Sequence, residues 1–111
     1  MRWSSGSPAG IATVVTLTAP TGAATLTGQA NVPTLFAFPD IAFGQDTIAG
    51  FDPVRDTIQL PHTRVANLAT LQAETTPTAA GGSLITLNPT QSITVNGVAP
   101  AKLTSANFLI V

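Results

Sequence analysis

Residues 43–60 read Phe-Gly-Gln-Asp-Thr-Ile-Ala-Gly-Phe-Asp-Pro-Val-Arg-Asp-Thr-Ile-Gln-Leu, and Asp-Thr-Ile occurs in them twice, at Asp46-Thr47-Ile48 and at Asp56-Thr57-Ile58. Thr and Ile are β-branched and favour extended backbone, whereas Gly50, Asp52 and Pro53 between the copies are turn formers. The stretch therefore reads as two short strands joined by an acidic corner. It holds three of the five acidic residues in the chain. If the carboxylates of Asp46, Asp52 and Asp56 converge there, they form a candidate metal site. Oxygen ligands on a tight turn suit calcium better than any softer ion. Asp also bonds its own backbone in turns, so an ordinary solvated corner is the competing reading.

The rest of the composition narrows the function classes. A chain of 111 residues fits one domain with a modest core. Only 8% of residues are charged and 44% are hydrophobic, against about a quarter charged in an average soluble domain. The surface must then be built from Thr, Ser, Asn, Gln and backbone. A surface of that kind with a net charge of −1 repels its own copies weakly, which points to burial of part of it in a larger assembly. The four basic residues Arg2, Arg55, Arg64 and Lys102 are scattered and form no phosphate-neutralising patch, which argues against nucleic acid as a partner. No apolar run reaches the length of a membrane-spanning helix. With no cysteine, disulfides and thiolate chemistry are excluded together.

Upstream of the corner a nine-residue echo places Thr16-Leu17, Thr25-Leu26 and Thr34-Leu35 at one spacing, with the turn formers Ala19-Pro20-Thr21-Gly22 and Gly28-Gln29-Ala30-Asn31 between them. Each unit reads as a turn plus a short strand that delivers one Leu inward, the outline of stacked parallel coils. These units resemble the calcium-binding RTX repeats, built on Gly-Gly-x-Gly-x-Asp-x-(large apolar)-x, and the cap that follows such repeats in serralysin-like secreted bacterial proteins. Leu17, Leu26 and Leu35 match the large apolar position, and Gly22, Asn31 and Gly28 match glycine positions. Val15, Ala24 and Pro33 stand where the repeat has its calcium-binding Asp, so these units are similar to degenerate repeats that kept the apolar stack. Gly44-Gln45-Asp46-Thr47-Ile48 matches the second half of a repeat with its carboxylate present. The resemblance thus implies a calcium site centred on Asp46 with Asp52 and Asp56.

Downstream, Val65, Leu68 and Leu71 stand at helical spacing and predict a short helix over 65–74. Residues 75–82 read as a loop. Ser83–Leu87 and Gln91–Val95 read as a hairpin around Asn88-Pro89-Thr90. A helical turn within 100–106 and a last strand at 107–111 complete the order, which is similar to that of the RTX cap. The end, Asn-Phe-Leu-Ile-Val, resembles the acid-plus-apolar terminus of type I secretion substrates, with Asn107 in place of the acid. That implies the type I secretion machinery as a partner.

No set of side chains reads as catalytic. His62 is the only histidine and Tyr is absent, so nothing assembles a nucleophile, base and orienting group. Phe36, Phe38, Phe43, Phe51 and Phe108 read as core at the junction, and Trp3 as an exposed residue or a partner contact. Asp40 reads as a turn residue.

The expectation is an all-β chain: a flexible leader at 1–11, then a single domain over 12–111. In that domain a short parallel β-roll or β-helix at 12–50 passes into an antiparallel cap with one helix at 51–111. The function expected is that of a secreted, extracellular, non-catalytic module that caps or assembles, partnered by a preceding β-roll domain or by copies of itself. A fibre or surface-layer subunit and a carbohydrate-binding module are the alternatives.

Overall fold

The computed structural model describes residues 14–29 and 31–111. The expected leader, with Arg2 and Trp3, and residues 12–13 lie outside the described residues. In chain order the strands are β1 (Val15–Thr18), β2 (Thr25–Thr27), β3 (Thr34–Ala37), β4 (Gln45–Ala49), β5 (Thr57–Leu60), β6 (Thr75–Pro77), β7 (Ser83–Asn88), β8 (Gln91–Val95) and β9 (Phe108–Ile110). Helix α1 (Leu68–Ala73) lies between β5 and β6, and single 3₁₀ turns at Pro100–Lys102 and Ser105–Asn107 precede β9.

The strands form two sheets, ordered β1-β3-β5-β9 and β2-β4-β8-β7-β6. From β1 to β5 the chain alternates between them. The corner at 51–56 therefore does not close a hairpin; it carries the chain from β4 in one sheet to β5 in the other. Every pair in the first sheet is parallel, as are β2 with β4 and β4 with β8. Antiparallel pairing is confined to β6, β7 and β8. The fold is mostly β with one short helix, and its sheets mix the two senses. Parallel pairing continues well past residue 50, through β5, β8 and β9.

Side-chain alternation on these ladders builds the core. Leu17 lies opposite Phe36, Phe36 opposite Ile58 and Ile58 opposite Phe108 in one sheet. Leu26 lies opposite Ile48 and Ile48 opposite Val95 in the other. Ile85, Ile93 and Leu71 join the same cluster. The nine-residue echo picks the inward residue correctly at Leu17 and Leu26 but not in β3. There Leu35 sits across from Thr16 and Thr57 and is half-buried, while Phe36 is fully enclosed. Strand length and turn length, set by the return to the same sheet, decide this register.

Four phenylalanines are buried as expected. Phe36 packs on Phe51 at 5.8 Å between ring centroids, and Phe38 meets Phe43 edge-on at 5.2 Å. Phe108 is half-buried against the core. The helix is shorter than its periodicity predicts: Asn67 caps it by accepting the Thr70 amide at 2.9 Å, which leaves Val65 buried in the lead-in. Thr75–Pro77, expected as loop, is a strand. Pro77 is tolerated because β6 is an edge strand and its missing N–H sits at the end of the pairing. Among the described residues no helix is long and apolar enough to cross a membrane.

Candidate functional site

The two Asp-Thr-Ile copies start two different ladders, and their aspartates do one job. Asp46 shares the inward face of β4 with Ile48, and its Oδ1 accepts the Ala24 amide at 2.7 Å, directly across from it. Asp56 immediately precedes β5, and its Oδ1 accepts the Thr34 amide at 2.8 Å, again directly across. In each case the carboxylate satisfies the backbone N–H at the start of a neighbouring parallel strand.

They differ in the second oxygen. Asp56 Oδ2 accepts the Asp52 amide at 2.9 Å, so both of its oxygens are engaged. Asp46 Oδ2 is buried with no hydrogen-bond partner among the described residues. Burial pushes the Asp46 carboxyl above the ordinary carboxylate value, and the Ala24 hydrogen bond pulls in the opposite direction. Asp46 is also the only titratable side chain inside any described strand, so no cation on a neighbouring strand offsets its charge.

Asp52 belongs to the corner alone. Its Oδ1 accepts the Val54 amide at 2.9 Å, its carbonyl accepts the Asp56 amide at 2.8 Å, and its Oδ2 lies 3.6 Å from Arg55 Nη1. That ion pair is largely solvated and adds little. The structure thus joins Asp52 to Asp56 through backbone hydrogen bonds and sets Asp46 in the other sheet's ladder. Among the described residues no group of three or more His, Cys, Asp or Glu side chains gathers.

A third polar residue extends the column above Asp56. Asn107 donates from Nδ2 to the Pro53 carbonyl at 2.8 Å and to the Asp56 carbonyl at 3.2 Å, and its Oδ1 accepts the Thr104 amide at 2.9 Å. Thr34, Asp56 and Asn107 are 1%, 2% and 2% exposed, so they make a buried polar column at the starts of β3, β5 and β9. The sequence flagged Asn107 only as a departure from a terminal acid. Its position against two carbonyl oxygens requires the amide, because a carboxylate has no donor to offer them.

The remaining candidates are dispersed. His62 is exposed, and its ring Nδ1 and its backbone N–H lie 2.8 and 2.7 Å from the Val111 carbonyl oxygen. Asp40 pairs with Arg64 at 2.9 Å. A depression of about 320 Å³ is lined by Gln72, Thr75, Pro100, Ala101, Leu103 and Phe108, none of them titratable.

One sequence signal was available and was missed. Ala24 to Asp46 and Thr34 to Asp56 each span 22 residues, and the same offset relates Thr25 to Thr47, Gly22 to Gly44 and Gly28 to Gly50. The glycines show why the offset is kept. A Cβ on Gly44, whose φ is +76°, would stand 3.0 Å from the Ala23 nitrogen, and one on Gly28 would stand 2.9 Å from the Gly50 oxygen. Neighbouring strand turns thus approach backbone to backbone. No family model matches the chain, and no curated protein is similar enough to it to count as a match.

Proposed function

We propose that this chain is a secreted, non-catalytic structural module: a short parallel β-roll, closed at one end by a cap and able at the other to add further β-structure, chiefly another copy of itself. The observation that carries this reading is the character of the first strand in each sheet. β1 (Val-Thr-Leu-Thr) and β2 (Thr-Leu-Thr) are the outermost strands of the two sheets among the described residues. Neither has a charge or a proline, the devices by which edge strands are ordinarily kept from pairing. In the second sheet the opposite edge is different: β6 terminates in Pro77 and packs against α1 and the 3₁₀ turn at Pro100–Lys102, whereas the opposite edge of the first sheet, β9, is Phe-Leu-Ile and carries neither device. A second sheet blunted at one edge and plain at the other gives the two ends unlike surfaces, which suits head-to-tail growth that need not close into a ring.

Light scattering and electron microscopy across a concentration series test this. The parent associates as its concentration rises, and Thr27→Lys, which puts a charge at an exposed position on β2, shifts it towards monomer. A parent that stays monomeric throughout and cannot be told from the Thr27→Lys variant overturns the reading.

A further inference from the structure

We infer that Asp46 and Asp56 are metal-free clamps between neighbouring strands, holding by backbone hydrogen bonds the place where the repeat resemblance would put calcium. The inference is independent of whether β1 and β2 recruit a partner. It rests on where the carboxylate oxygens point. Asp56 has an N–H donor on each oxygen, from Thr34 and from Asp52. A cation there would have to displace both amides or face their positive ends. Asp52 already accepts the Val54 amide and lies beside the Arg55 guanidinium. Asp46 turns its Oδ1 to Ala24 in the other sheet. A divalent ion needs several oxygens around one point. Each carboxylate has an oxygen committed to a different amide, and the one oxygen without a partner among the described residues, Asp46 Oδ2, stands in the other sheet's ladder, so the three do not fit a shared ion.

The clamp is also directional. Each aspartate reaches back across the ladder to the amide 22 residues earlier, and at the equivalent earlier positions stand Ala24 and Thr34, which carry no carboxylate. One pass of the chain therefore holds the pass before it, and the series begins at the strands β2 and β3. This accounts for the Asp-Thr-Ile repeat on structural grounds: the aspartate supplies the acceptor, and Thr-Ile continues into the strand it secures.

The two clamps respond differently to the same substitution. In Asp56→Asn one oxygen becomes an NH₂ group facing an N–H donor, so a buried amide loses its acceptor. In Asp46→Asn the carbonyl oxygen keeps Ala24, and the NH₂ takes the place of an oxygen that has no partner among the described residues. The experiment combines urea denaturation of the parent and both variants with amide hydrogen exchange of the parent, each with about 1 mM calcium or a chelator. The expected results are no calcium-dependent shift of the parent's midpoint and protected Ala24 and Thr34 amides in chelator. Asp56→Asn should lower the folded-to-unfolded ratio roughly 5- to 150-fold, while Asp46→Asn leaves it unchanged or raises it. The inference is overturned if calcium raises the parent's midpoint, if those two amides exchange freely in chelator, or if both variants lose stability alike. The parent measurements decide the matter even where Asp56→Asn does not fold.

Discussion

Asp46 carries a charge on the inward face of β4 beside Ile48, with one hydrogen bond and no cation on either flanking strand. Its folded-state pKa is raised above the unfolded value, so the folded form binds the proton more tightly than the unfolded chain does. By linkage, protonation relieves the buried charge, so stability rises as pH falls through the folded pKa, the gain being complete below the unfolded one. Urea midpoints measured from neutral to mildly acidic pH should contain this rising component in the parent and lack it in Asp46→Asn. Asn107 offers the reverse case, where a charge is created. Asn107→Asp removes the donor that meets the Pro53 and Asp56 carbonyls and sets a buried carboxylate against both. It should cost about 2–4 kcal/mol at neutral pH. Part of that loss returns on acidification, when the new carboxyl takes up a proton, and thermal melts at two pH values would show it.

At the scale of elements, what matters is how closely neighbouring turns of chain approach. Gly28 donates its amide to the Ala49 carbonyl at 2.8 Å, and a methyl group there would meet the Gly50 oxygen at 2.9 Å and the Phe36 ring at 3.0 Å. Since Phe36 is fixed in the core, neither neighbour can yield freely, and Gly28→Ala should destabilise by about 1–3 kcal/mol. Denaturant unfolding checks this, with Gly81→Ala as a contrast. Nothing lies within 4 Å of the Cβ at Gly81, whose cost comes only from its φ of +85°. Helix α1 is set by its cap and by one buried side chain, Leu71. Its hydrophobic period was legible over 65–74, but the period does not distinguish Val65 packed from the preceding turn from Val65 on the helix.

Across the whole molecule, register decides which residues are core. Phe36 sits between Leu17 and Ile58 and is wholly buried, whereas Leu35, its neighbour, is half-buried on the other face. Phe36→Ala should therefore cost about 3–5 kcal/mol, and Leu35→Ala about 1 kcal/mol or less. Equal losses in equilibrium unfolding would mean that β3 is paired one residue out of register. The same comparison shows the limit of the nine-residue echo. Thr34-Leu35 repeats Thr16-Leu17 in sequence, yet Leu17 pairs with Phe36, because a one-residue change in the intervening turns moves every side chain to the opposite face.

Local chemistry sufficed for much of this protein. β-branched runs, Gly and Pro punctuation and apolar alternation marked most of the strands, the hairpin of β7 and β8, the helix and the aromatic seam, since each signal is written within a few neighbouring residues. Asp46, Asp52 and Asp56 stood out because they are close in sequence, but the structure joins only Asp52 to Asp56 and sets Asp46 in the other sheet's ladder. The partners of Asp46 and Asp56 did not stand out, because Ala24 and Thr34 lie 22 residues away and present only a backbone N–H, which every non-proline residue has. The folding of the chain into alternating sheets, with parallel pairing continuing through β5, β8 and β9, was likewise decided by tertiary structure. The sequence by itself placed most of the strands, though not β6, and singled out the aspartates. Only the long-range pairing of the sheets determined that two of those carboxylates face amides of neighbouring strands.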